Sequence, residues 1–173
     1  YDTLGSQIKC NPAVKSAADQ HALLDAVRND VLDIIATDHA PHTWEEKQNS
    51  YFKAPSGVPL VQHSLQALLE LYHNGVFSLE TIVKKTSHAV AERFQVQDRG
   101  YIREGYFADL VLLDLGKPYV VNDSNLLYRC GWSPFNGYRF QSTIDMTLVN
   151  GQIAWQNGQV TDQVLGKRLT FNR

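Results

Sequence analysis

Val31-Leu32-Asp33-Ile34-Ile35-Ala36-Thr37-Asp38-His39-Ala40-Pro41-His42 is an apolar run that ends in an acid and two imidazoles. Val31, Leu32, Ile34, Ile35 and Ala36 read as a strand buried on both faces, because the run is too short for a typical helix and rich in β-branched residues. Pro41 stops the strand, having no N–H to give to a ladder. The pattern leaves a carboxylate and two histidines at the C-terminal end of a buried, parallel strand. In α/β barrels and open α/β sheets that is the end where chemistry sits.

Asp38 has two readings. It caps a turn with His39 and His42 as solvated neighbours, or it meets a cation, since a carboxylate at an apolar rim is costly unless something compensates it and imidazoles titrate near neutrality or bind metal. A self-contained site of Asp38, His39 and His42 is disfavoured, because adjacent strand residues point to opposite faces.

Upstream, residues 1–15 read as irregular, with Gly5 and Pro12 as punctuation. Asn11 precedes Pro12 and is biased towards extended backbone; taken alone it is a turn residue. Ser16 starts a helix, with Asp19 in the first turn and Asn29-Asp30 at its end. A helix leading into a buried strand is half of a βα repeat. Downstream, residues 43–56 form a long polar loop placed to line an active-site mouth. A helix is predicted over 59–74, stopped by Gly75, then a short one over 78–85 and a further turn over 87–94. His63, His73 and His88 lie on these helices, and each reads as structural or solvated.

Near Gln95 the period changes. Residues 108–114, 147–150 and 152–156 read as strands, with Asn150-Gly151 and Asn157-Gly158 as tight-turn pairs. The chain therefore divides into an α/β body, 1–95, and a β-rich part, 96–173.

Composition is that of a globular chain: 43% apolar, 20% charged, formal net charge −2. Nothing in it favours nucleic acid or a membrane surface, and no apolar run approaches the ~20 residues of a membrane span. Cys10 and Cys130 read as reduced thiols of a cytosolic protein, with a disulfide as the alternative. The chain opens on Tyr1, its one Met is Met146, and no signal segment precedes the first motif, so it reads as the back part of a longer protein.

Thr37-Asp38-His39-Ala40-Pro41-His42, with Lys9-Cys10-Asn11-Pro12-Ala13-Val14-Lys15 before it and Ala54-Pro55-Ser56-Gly57 after it, resembles the last barrel segment of the dihydroorotases, in the amidohydrolase superfamily. The stretch from Arg99 to Asp114, with its Gly-Tyr-Ile-Arg-Glu-Gly-Tyr-Phe-Ala-Asp-Leu core, is similar to the superfamily more broadly, and Gly131-Trp132-Ser133-Pro134-Phe135 and Val149-Asn150-Gly151 extend the likeness. The resemblance implies an α/β fold: the C-terminal part of a (β/α)8 metal-dependent hydrolase barrel plus part of a small β-sandwich, whose other strands are absent and leave open edges.

It also implies reversible hydrolysis of dihydroorotate to N-carbamoyl-L-aspartate, in pyrimidine biosynthesis. Asp38 would be both metal ligand and proton carrier. Asn11, His42, Ser56 and Gly57 would hold the substrate, with His39 in support. The cofactor would be zinc, one or two ions, whose remaining ligands lie in a missing N-terminal part of the same protein. The expected partners are that part and the small-molecule substrate; a homodimer stays open. Because zinc takes at least three protein ligands, these residues alone should be inactive. An allantoinase, a dihydropyrimidinase or a non-catalytic scaffold of the same fold are the other readings.

Overall fold

Ser16 and Asp19 exchange bonds: the Ser16 hydroxyl accepts from the Asp19 N–H at 3.3 Å, and the Asp19 carboxylate accepts from the Ser16 N–H at 3.0 Å. This capping box satisfies donors that the first helical turn leaves without partners and starts α1 (Ala17–Arg28) as the sequence predicts. The computed structural model describes residues 2–161 and 166–172. Within the region predicted to be irregular, Gly5–Ile8 forms a 3₁₀ turn.

Residues 31–36 correct an expectation. They form no ladder: the Val31 and Leu32 N–H groups turn back to the Ala26 carbonyl at 2.9 and 3.1 Å, and Val31 is 72% exposed. The Ile35 N–H donates to the Lys85 carbonyl at 3.0 Å, and the one β-bridge nearby pairs His39 with Val58 in parallel. A run of this composition becomes a buried strand only when strands flank it and layers cover it; no such neighbours occur among the described residues. The segment is anchored at its start instead. Asp30, with φ +58°, holds both Lys84 (2.7 Å) and the enclosed Lys85 (2.8 Å), which keeps its carboxyl at about 2.

The long loop carries a short helix, α2 (Trp44–Lys47), because Thr43 and Glu46 form a second capping box. The helix predicted over 59–74 is a 3₁₀ turn, Val61–His63, followed by α3 (Ser64–His73). The two pieces predicted over 78–94 are one helical run: α4 (Leu79–Val83), a π turn Lys84–His88, and α5 (Ala89–Phe94). Its end is Gln95, in the left-handed region at φ +55°. Val27, Leu69, Phe77 and Ile82 form the core between these helices. Each such side chain contributes about 1.5–3 kcal/mol by leaving water.

The β-rich part holds β1 (Leu110–Asp114), β2 (Tyr119–Val120), β3 (Arg139–Phe140), β4 (Thr143–Val149), β5 (Gln152–Gln156) and β6 (Gln159–Val160). One antiparallel sheet has the order β1-β4-β5-β6, and β2 pairs with β3. The two Asn-Gly pairs are turns with positive φ at both residues, as predicted. Leu113 of β1 and Leu115 just beyond it pack against this core, which joins the sheet to the helices.

His63 is fully buried among Tyr119, Tyr128, Phe135 and Phe140, and burial pushes its pKa down to about 4. It is a neutral core residue. His73 meets the Ser142 hydroxyl at 2.7 Å, and His88 stacks on Tyr101 at 4.1 Å. Cys10 and Cys130 are both free thiols.

Candidate active site

Residues 37–42 lie against residues 56–58. Besides the His39–Val58 bridge, the Ala40 N–H donates to the Val58 carbonyl at 3.3 Å. The approach is so close that only glycine fits at position 57: it has φ +136°, and a Cβ there would lie 2.4 Å from the Ala40 oxygen.

Two lysines bind the surrounding loops together. The Lys47 ammonium is fully enclosed and donates to the carbonyls of Lys9 (3.2 Å), Pro55 (3.0 Å) and Gly57 (2.9 Å). Burial pushes this ammonium below its ordinary pKa; Cys10 opposes that shift and Lys9 reinforces it. The Lys9 ammonium donates to the carbonyls of Tyr51 and Ala54, both at 2.7 Å. The Gly57 N–H returns to the Lys9 carbonyl at 2.9 Å, and Ser6 donates to the Lys47 carbonyl.

On this frame Asp38 stands exposed, in the left-handed region at φ +47°. Its carboxylate has no hydrogen-bond partner among the described residues. Asp30, Gln95, Asp98, Asn150 and Asn157 also have positive φ, as turn residues do, so the open carboxylate rather than the backbone distinguishes Asp38. Cys10 lies close enough that Asp38 adds to the rise that burial imposes on its thiol, while Lys47 opposes it.

His42 and Ser56 are brought together: the His42 Nε2–H donates to the Ser56 carbonyl at 3.1 Å, and Nδ1 lies 3.7 Å from a Glu46 oxygen. Asn11 is exposed on the turn that the Lys9–Gly57 bond ties to this rim. His39 turns the other way. Its Nδ1 accepts from the Leu60 and Val61 N–H groups at 3.1 and 3.3 Å, and its ring stacks on Tyr128. Among the described residues no three His, Cys, Asp or Glu side chains gather as a metal site. Asp38 fits as one ligand of a centre completed from elsewhere, since its carboxylate is open and uncommitted.

Sequence reasoning missed Lys47, Lys9, Tyr128 and Trp132. The Trp132 indole donates to the His42 carbonyl at 2.8 Å, and its ring meets Trp44 at 5.9 Å. Trp132 belongs to a stretch that carries the resemblance, but nothing local indicates a partner ninety positions away.

Residues 9–154 match the model of the amidohydrolase family. The chain belongs to that family. Among curated relatives, the dihydroorotase of Halobacterium salinarum is 36% identical over 92% of this chain and 38% of its own length. The allantoinase of Desulfitobacterium hafniense is 30% identical over 97% of this chain and 38% of its own. The structure of the L-hydantoinase (dihydropyrimidinase) from Arthrobacter aurescens superposes with a TM-score of 0.84 at 28% identity, over 91% of this chain and 36% of that one. This amidohydrolase chain thus spans about two fifths of the length of the relatives it matches, and its fold is a piece of a (β/α)8-type hydrolase. No helix among its described residues is long and apolar enough to cross a membrane.

Proposed function

We propose that this amidohydrolase chain is part of a zinc-dependent dihydroorotase, cytoplasmic and serving pyrimidine biosynthesis, that opens dihydroorotate to N-carbamoyl-L-aspartate. The observation that carries the reading is Asp38: an open carboxylate at the rim that Gly57 and His42 share. The dihydroorotase relatives at 33–36% identity support the choice of substrate.

A ring amide is a poor electrophile and water a poor nucleophile at neutral pH. A bound zinc ion would lower the pKa of water and polarise the carbonyl. Asp38 would help hold that ion and take the proton released as water adds to the ring carbonyl. As the C–N bond breaks, the same carboxylate returns this proton to the departing nitrogen, so it ends the cycle as it began. A substrate carboxylate would meet Asn11, the backbone at Ser56-Gly57, and His42. The His42 Nε2–H is engaged by Ser56, so Nδ1 is the nitrogen left for a ligand. It donates only when the ring carries both protons. With Asp38 as the one ligand proposed among the described residues, residues 1–173 alone are expected to be inactive.

An allantoinase or hydantoinase activity is the second reading, favoured by the allantoinase match over 97% of the chain. Turnover of dihydroorotate, allantoin, hydantoin and dihydrouracil by the full-length protein, with and without a chelator, separates these. Chelator-sensitive turnover with dihydroorotate as best substrate is the expected result. Preference for another ring moves the assignment to that ring, and no turnover with any of them leaves a non-catalytic scaffold.

A further inference from the structure

An ammonium has three hydrogens, and on Lys47 all three meet backbone carbonyls, those of Lys9, Pro55 and Gly57. The side chain is completely enclosed. Enclosing a charge against neutral dipoles is costly, and an apolar side chain of similar volume would often stabilise the fold as well or better. The ammonium provides what an apolar chain lacks, which is direction: it turns three carbonyls inward at once. Pro55–Ser56 is a trans peptide, so its N–H points opposite to its carbonyl. With the Pro55 oxygen facing Lys47, the Ser56 N–H faces away from it, and it has no acceptor among the described residues. The same clamp holds the Lys9 carbonyl, which receives the Gly57 N–H and precedes Asn11 by two positions.

We propose that Lys47 is a positioning residue for substrate: it orients the Ser56 N–H as a donor to the substrate anion and fixes the Asn11 turn beside it. The proposal rests on the functional reading above, in which these groups hold a cyclic amide that carries a carboxylate. Lys47 touches no reacting atom, so its loss weakens binding more than chemistry.

The test uses the full-length protein with Lys47→Met, which keeps length and removes the ammonium, and Lys47→Arg, which keeps charge but cannot gather three carbonyls round one point. In Lys47→Met, KM for the best cyclic amide should rise about tenfold or more with kcat within about threefold, the pattern left by losing an interaction made equally to ground state and transition state. Lys47→Arg should lie between wild type and Lys47→Met. Exchange of the Gly57 amide should quicken in both variants. An unchanged KM, or a fall in kcat with KM constant, overturns the proposal. If Lys47→Met does not fold, Lys47→Arg decides on the same KM criterion. If the wild type turns over no cyclic amide, the functional reading fails by itself; Gly57 exchange then decides the clamp, and protection equal to wild type in the variants refutes it.

Discussion

Gly57→Ala tests how the rim is built. At φ +136° an L-residue is strained by about 1–3 kcal/mol. The added Cβ would stand 2.4 Å from the Ala40 oxygen and 2.7 Å from the Ala40 Cβ, so backbone must move. Overpacking of this kind costs a further ~1–3 kcal/mol. The sum, roughly 2–6 kcal/mol, is read by urea unfolding followed through Trp44 and Trp132, which flank the site. With a slope of about 1–3 kcal/mol per molar urea, the midpoint should fall by roughly 0.7 M or more. Gly75→Ala is the internal control. It has φ +69° but nothing within 4 Å of a built Cβ, so it carries the backbone term alone, about 1–2 kcal/mol. Adding Ala40→Gly to Gly57→Ala removes the 2.7 Å contact but neither the carbonyl contact nor the φ strain, and should recover less than half of the loss. Equal midpoints for Gly57→Ala and Gly75→Ala would refute the close approach between residues 40 and 57.

Asp38→Asn should leave the unfolding midpoint unchanged, because the carboxylate is exposed and makes no hydrogen bond among the described residues; turnover by the full-length protein should fall about 10²–10⁴-fold, as loss of a proton carrier does. Turnover within tenfold of wild type removes Asp38 from the chemistry. Trp132→Phe keeps an aromatic ring against Trp44 but deletes the donor to the His42 carbonyl, with an expected cost of about 1 kcal/mol and a higher KM; an unchanged KM means that His42 is held without it. His63 is neutral in the fold because burial lowers its pKa from 6.5 to about 4. The unfolded chain therefore binds the extra proton between those values, so this contribution is full above pH 6.5 and is lost as pH falls towards 4. It amounts to roughly 3 kcal/mol, and a His63→Leu variant whose stability keeps the wild-type slope between pH 4 and 6.5 would contradict it.

What could be read in the sequence follows the range of the interactions concerned. The α1 cap, the stop at Gly75 and the two Asn-Gly turns are set by residues within four positions of each other, and each stands where the pattern puts it. The strand over 31–36 failed for the opposite reason. Its composition records an environment of flanking strands, which pattern reading cannot distinguish from their presence, and Val31 is instead solvent-exposed. The π turn was illegible because period 3.6 and a single wider turn give almost the same apolar spacing over five residues. In the site, the motif from Asp38 to His42 was visible as chemistry ending an apolar run. Lys47 was hidden by its surroundings, since a lysine beside Glu45 and Glu46 reads as a solvated face. Its partners, at positions 9, 55 and 57, are fixed only by the fold.

The same difference in range separates the scaffold of the rim from its chemistry. Gly57 meets Ala40, Lys47 gathers three carbonyls, Lys9 gathers two, and Trp132 holds the His42 carbonyl, all within this chain. Asp38, the carboxylate proposed above to carry the chemistry, is the one these contacts leave alone. A carboxylate that had evolved as a turn cap would accept a local N–H, as Asp19 does from Ser16 and Asp114 from Gly116. Asp38 sits on left-handed backbone, which an aspartate adopts readily at a single turn position, and its carboxylate makes no such bond among the described residues. That is the physical reason to look for a cation at this rim rather than a further hydrogen bond.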